Sequence, residues 1–198
     1  MTDPQSWVAP TYNGLAHLLT ASDVRPWDAP SLCENWLVRH VVAHVTMPTR
    51  LTPEQFGAQL GAAGGDFTLF SDAVAARDAR LSEADLLDDL RSQRLHAWQP
   101  PGGGVDGALS HAVIHSLDVT VALGRPAVAP TDAMTAVLEQ LTAAEGVVFG
   151  VDLTGIRLEA EDTGWSWGTG QLVRDNSGSL VALLSGRALP DGQTLPRR

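Results

Sequence analysis

Six histidines stand in this chain, at positions 17, 40, 44, 96, 111 and 115, and four of them form two pairs of one spacing, His40 with His44 and His111 with His115. In an α-helix, residues i and i+4 share a face with Cβ atoms about 5–6 Å apart, so each pair can aim two imidazoles at one point. Imidazole suits divalent zinc or nickel, and a site with three protein donors keeps a position open for water or a thiolate. The other reading of the same residues is half-buried helix histidines bonded to backbone or carboxylates, and spacing alone leaves both open. Asp118 follows His115 by three positions and His111 by seven, on the same side of their helix. It can orient a ligand imidazole, pair with Arg39, or sit as a polar residue at a bundle's edge. Cys33 has no base spaced to activate it and reads as a small packed side chain.

Positioning such rings requires helices, and periodicity predicts them over residues 1–150. Leu15, Leu18 and Leu19 form a stripe within 11–21, with Pro10 in a first turn that tolerates it. A Pro- and Asp-containing connection covers 23–31. Val38, Val41, Val42 and Val45 recur at helical spacing over 36–46, which Pro48 closes. Residues 53–81 are interrupted by Gly61, Gly64 and Gly65, which predicts loop for their first part. Ser82 opens a capping pattern ahead of Leu86, Leu87, Leu90 and Leu95, and P-P-G-G-G at 100–104 breaks the chain. Leu109, Val113, Leu117 and Val121 mark a helix over 105–123, stopped by Gly124 and Pro126. A further helix runs from an N-cap at Thr131 to about 148.

The texture changes after Gly150. Residues 153–160 alternate apolar and polar as a half-buried strand does, Trp165 and Trp167 keep that period, Gly168 and Gly170 flank a turn, and 179–184 reads as a short helix. Trp7, Trp27, Trp36 and Trp98 read as helix-packing anchors, and Trp165 and Trp167 as core of the C-terminal part. We therefore expect a mainly α fold in two parts, 1–150 and 151–198, the second too short for a robust core of its own and packed on the first.

Composition excludes several classes of function. With 13 Lys+Arg against 23 Asp+Glu the chain carries −10, and every one of its cations is Arg. So acidic a protein lacks the basic face that phosphates need, so nucleic acid is not an expected partner. Without lysine there is no Schiff-base chemistry and no P-loop lysine. A single cysteine makes no internal disulfide and demands no oxidising compartment. The opening M-T-D-P-Q-S-W has neither a basic nor an apolar leader region, and charges, Gly or Pro break every apolar run short of the roughly 18 residues of a membrane span. A soluble, cytoplasmic protein with no membrane partner is the expectation.

Residues 30–44, P-S-L-C-E-N-W-L-V-R-H-V-V-A-H, resemble the signature of the mycothiol-dependent maleylpyruvate isomerase family, within the wider DinB-like superfamily: approximately P-[ST]-x-C-x-x-W-[TL]-V-R-D-V-V-A-H. The run from His111 to Pro126, ending A-L-G-R-P, and residues 155–168, with G-W-S-W-G, resemble two further family segments in the same order. The resemblance implies a DinB-like four-helix bundle with a small C-terminal α/β subdomain. It also implies a divalent metal, zinc with nickel as the other candidate, held by His44, His111 and His115, with mycothiol as co-substrate. His111 departs from the family pattern, which has Glu there, and resembles the three-histidine arrangement of other DinB-like thiol transferases. His40 stands where the family has Asp and is a candidate spare ligand or support for His44. The implied function is a transferase or isomerase in which a metal-activated thiolate attacks a small anionic electrophile. Arg187, with Arg157 and Arg174, is a candidate for binding that electrophile's carboxylates, because Arg does so with two hydrogen bonds. The alternative class is a non-catalytic bundle of the same fold that binds or senses a metal or small molecule.

Overall fold

The computed structural model describes residues 3–21 and 26–198; residues 23–25 of the expected connection, and the first two residues of the chain, lie outside them. A 3-10 turn (Pro4–Trp7) leads into α1 (Val8–Ala21), with Pro10 in its first turn. Then follow α2 (Val38–Val45), α3 (Pro53–Ala62), α4 (Phe67–Asp78), α5 (Glu83–Leu90), α6 (Gln93–His96), α7 (Gly104–Thr120) and α8 (Thr131–Ala143). The C-terminal part adds β1 (Ile156–Ala160), β2 (Ser166–Gly168), β3 (Gln171–Asp175) and α9 (Ser177–Leu184). In the bundle, α1 packs on α7, α7 on α2, and α2 on α4, with α5 closing against α1 and α2. No helix among the described residues is long and apolar enough to cross a membrane.

Local chemistry sets the helix ends. Asp66, Ser82, Ser92 and Asn176 each cap the helix that follows by accepting a backbone N–H in its first turn, satisfying a donor that has no partner inside the helix. The expectation of loop before Gly65 is corrected: Thr52 and Gln55 form a reciprocal capping box, Pro53 sits at the first turn, and α3 runs through Gly57 and Gly61. Only Gly64 and Gly65, at φ 68° and 80°, break the chain there. The leucine stripe over 86–95 is likewise two helices, since α5 stops at Leu90 and Ser92 starts α6. Thr131 is the first residue of α8 rather than its cap, which is Pro130, and that helix ends at Ala143 before Glu145 and Gly146 turn left-handed at φ 50° and 77°.

The sheet has the order β2-β1-β3, β1 antiparallel to β2 and parallel to β3. Sequence reading missed β3. The turn at Gly168 and Gly170 does not join neighbouring strands; it carries the chain around the start of β1. A Cβ at Gly170 (φ 125°) would lie 2.0 Å from the Gly155 carbonyl oxygen, so only glycine can pass.

Helix α7 serves two apolar clusters. Leu109, Val113, Ile114 and Leu117 pack with α8, β1 and α9, while Ala108, Ala112 and Val119 pack with α1, α2 and α5. The C-terminal residues thus share their core with α7 and α8, and Trp165 and Trp167 pack against it.

Polar cross-ties hold the far end of the bundle. Arg50, just after α2, donates from Nε to Asp78 on α4 at 3.0 Å and from Nη2 to the Ala43 carbonyl at 2.7 Å, and also pairs with Asp89 on α5. Burial alone would raise the Asp78 pKa, but hydrogen bonds and charge from Arg77 and Arg50 outweigh it and hold the carboxyl below its usual range. Arg50→Met therefore leaves Asp78 with Arg77 alone and Asp89 without its ion-pair partner, and is expected to cost about 2 kcal/mol, the buried-pair loss reduced for partial exposure. Because the folded pKa of Asp78 is depressed, its contribution is full above about pH 4 and fades as pH falls through the lowered folded value. Denaturant titrations across that range should show the gap between wild type and Asp78→Asn closing only below about pH 4.

Candidate metal centre

Three imidazoles meet between α2 and α7. His44, 4% exposed, comes from α2; His111 and His115, one turn apart, come from α7. Their ring centroids lie 5.3 Å (His44–His111), 4.8 Å (His44–His115) and 4.8 Å (His111–His115) apart. One nitrogen from each falls within 4.8 Å of the others.

Each ring has a different anchor at Nδ1. His44 Nδ1 lies 2.9 Å from Ser71 Oγ on α4, His111 Nδ1 lies 3.0 Å from the Tyr12 hydroxyl on α1, and His115 Nδ1 lies 2.8 Å from Asp118 Oδ2. A neutral imidazole that donates its Nδ1 proton to an oxygen presents the Nε2 lone pair, the tautomer a metal requires. Burial, then the neighbouring His115, lowers the pKa of His44 to about 3. Burial, then His115 and His44, lowers that of His111 well below the usual value. The donor set therefore fits a divalent cation, being convergent and oriented. Trp36 flanks His44 at 5.2 Å and Trp98 flanks His111 at 5.3 Å between ring centroids.

Behind His115 lies a buried polar knot. Asp118 is 1% exposed; Arg187 donates from Nε to its Oδ1 at 2.7 Å and from Nη2 to its Oδ2 at 3.0 Å. The Cys33 thiol donates to Oδ2 at 3.0 Å. Burial alone would raise the Asp118 pKa, but the hydrogen bonds from His115 and Arg187 hold it well below the carboxylate range. Burial and the Asp118 charge push the Cys33 thiol up, so it stays protonated and acts as a donor. Cys33 belongs to a loop pinned to α7 by the Leu32 N–H, which donates to the Asp118 carbonyl at 2.9 Å. Atoms of Cys33, His115 and Asp118 also lie within 4.8 Å of one another, but hydrogen bonds already join them.

Several expectations resolve here. Asp118 is hydrogen-bonded to His115 Nδ1, and Arg39 pairs instead with Asp28 at 2.8 Å. His40 lies outside the group of three: its Nδ1 accepts the Leu37 N–H at 3.0 Å and closes the start of α2. Cys33 is a polar partner rather than simple filling. Arg187 reaches Asp118, while Arg157 and Arg174 are exposed and pair with Glu159 on the sheet. Tyr12 and Ser71 went unnoticed in the sequence, and Trp36 and Trp98, read as packing anchors, flank the centre.

Fold and site together define a helical bundle with a half-buried three-histidine cluster and a small C-terminal α/β portion. Residues 8–99 match the family model described as the mycothiol maleylpyruvate isomerase N-terminal domain. Two solved structures are similar across nearly the whole chain. One, the mycothiol-dependent maleylpyruvate isomerase, has TM-score 0.59 and 14% identity, covering 98% of this chain and 95% of that one. The other, a histidine-to-alanine mutant of the mycothiol-dependent maleylpyruvate isomerase, has TM-score 0.58 and 13% identity over the same shares. At these identities the likeness is one of fold. No curated protein sequence matches the chain.

If the three rings are ligands, His44→Ala and His111→Ala should each abolish retention of a divalent cation through gel filtration, as read by elemental analysis. Tyr12→Phe and Ser71→Ala, which remove only the oxygen behind a ring, should weaken the cation about tenfold in chelator competition.

Proposed function

We propose that this protein is a divalent-metal-dependent enzyme that uses mycothiol, a low-molecular-weight thiol, as a transferase or isomerase acting on a small anionic electrophile. The observation that carries this reading is the convergence of three imidazoles whose Nδ1 atoms are each engaged by a separate neighbour. His44, His111 and His115 would hold the cation, zinc first and nickel second. When bound, such a cation supplies Lewis acidity that deprotonates a coordinated thiol. The family match over residues 8–99 and the similar isomerase structures support the choice of thiol.

The chain's own residues divide the remaining work. Tyr12, Ser71 and Asp118 hold the Nδ1 protons and so the ring orientations. With His at 111, where the family resemblance has Glu, the donor set carries no charge, which leaves the centre one unit more positive toward a thiolate. Trp36 and Trp98 keep bulk water off two sides of the rings. Trp98, which flanks His111, also lines a cavity of about 350 Å³ with Met47, Leu51, Phe56 and Arg94, room for a small molecule. Arg94 hydrogen-bonds only to the carbonyls of Thr49 and Leu51, and no carboxylate among the described residues pairs with it. It therefore fits an anionic electrophile better than Arg187, whose charge is already matched by Asp118.

Incubation of the purified protein with mycothiol and a panel of small electrophiles, maleylpyruvate included, should give thiol-dependent turnover that a chelator removes and added zinc restores. Arg94→Met should raise KM for carboxylate-bearing electrophiles about tenfold and leave neutral ones nearly unchanged. A bound cation with no turnover on any member of the panel would favour the non-catalytic binder instead.

A further inference from the structure

We propose that Arg187 is a positioning residue for the histidine centre. Acting through Asp118, it fixes the His115 ring and makes cation affinity depend on the seating of the C-terminal helix. The inference rests on the reading that the centre holds a divalent cation.

Asp118 receives four donors: His115 Nδ1 at 2.8 Å, Arg187 Nη2 at 3.0 Å and Cys33 Sγ at 3.0 Å on Oδ2, and Arg187 Nε at 2.7 Å on Oδ1. A carboxylate gripped by His115 alone can rotate and carry the ring with it. The two-point guanidinium contact spans both oxygens and fixes the carboxylate plane. Arg187 is itself held: its backbone N–H donates to the Ala182 carbonyl at 3.0 Å and the Gly186 N–H to Leu183 at 2.9 Å. These bonds close the end of α9 through Gly186 at φ 75°, the left-handed ending glycine permits. Every residue of α9 is buried. A continuous line of fixed groups thus runs from the core under α9, through the guanidinium and carboxylate, to one ring of the centre. His44 and His111 are anchored from α4 and α1 and owe nothing to this line.

Arg187 also lines a surface cavity of about 730 Å³ with Leu32, Glu34 and Arg197. A direct role in substrate binding is therefore the competing account, and the experiment must separate the two.

The full-length protein is loaded with Zn²⁺ or Co²⁺, and affinity is measured by chelator competition, with the visible absorption of the Co²⁺ form reporting ligand geometry. Arg187→Met should weaken binding about 10- to 100-fold and alter the Co²⁺ spectrum. Arg187→Lys, which keeps the charge but cannot span both oxygens, should recover part of the affinity. Asp118→Asn should weaken binding at least as much as Arg187→Met, and the double variant should be no weaker than Asp118→Asn alone, because the arginine acts through the carboxylate. If Arg187→Met does not fold by circular dichroism, the same cycle is run with Arg187→Lys. Wild-type affinity and spectrum in the Arg187 variant, or effects that multiply in the double variant, overturn the proposal and leave the metal reading intact. A wild-type protein that binds neither ion overturns both.

Discussion

Crowding three imidazoles to centroid distances of 4.8–5.3 Å inside a bundle works only if the rings stay uncharged and their polar nitrogens are spoken for. A buried cationic ring beside two others would carry both desolvation and repulsion, and an unpaired N–H would lose its hydration with nothing in return. The bundle meets this demand with three separate partners: a phenol from α1, a hydroxyl from α4 and a carboxylate from α7. Two of these contacts register helices against one another, Tyr12 with His111 joining α1 to α7 and Ser71 with His44 joining α4 to α2. Sliding α1 past α7, or α4 past α2, by one turn would strand a ring, so the polar centre constrains a packing that apolar contacts alone would specify loosely.

Helix α7 shows how one element reconciles two cores with a polar stripe. Its large apolar residues face α8, β1 and α9; its small ones, Ala108 and Ala112, face α1 and α2 and let those helices come close. Between the two sides run His111, His115 and Asp118. The uniform apolar periodicity of this helix in the sequence reflects residues pointing into two different clusters, not one stripe on one core.

What sequence could reveal follows from how local each feature is. Helix periodicity and the i,i+4 histidine pair on α7 are local, and the family-like segments 30–44 and 111–126 tied His44 to that pair. The anchors of the rings are not local: Tyr12 and His111 are 99 positions apart, and Ser71 is 27 from His44. One signal was available for Tyr12, the only tyrosine in the chain, set on the apolar side of α1 where a buried hydroxyl must find a partner. His40 misled because i,i+4 spacing is indifferent to a helix's start. At the third position of α2, its ring reaches back to the free N–H of Leu37. Strand β3 was hidden because exposed Leu172, beside half-buried Val173, blurs its alternation, and because a Gly-x-Gly turn suggests adjacent hairpin strands where the chain instead rounds the end of β1. Gly61 pointed to a loop, but its side of α3 faces open space, where glycine costs only about 1 kcal/mol relative to alanine.

The knot behind His115 joins Cys33 to Arg187 across 154 positions, most of the chain's length. As the polypeptide emerges from the ribosome, α1 and α2 are already outside while the residues that complete the centre are still being made. A nascent chain therefore carries the three histidines and their partners Tyr12, Ser71 and Asp118 before the guanidinium behind them has been made. The knot closes only when the last helix has settled, so the end of translation completes an arrangement whose rings were made first.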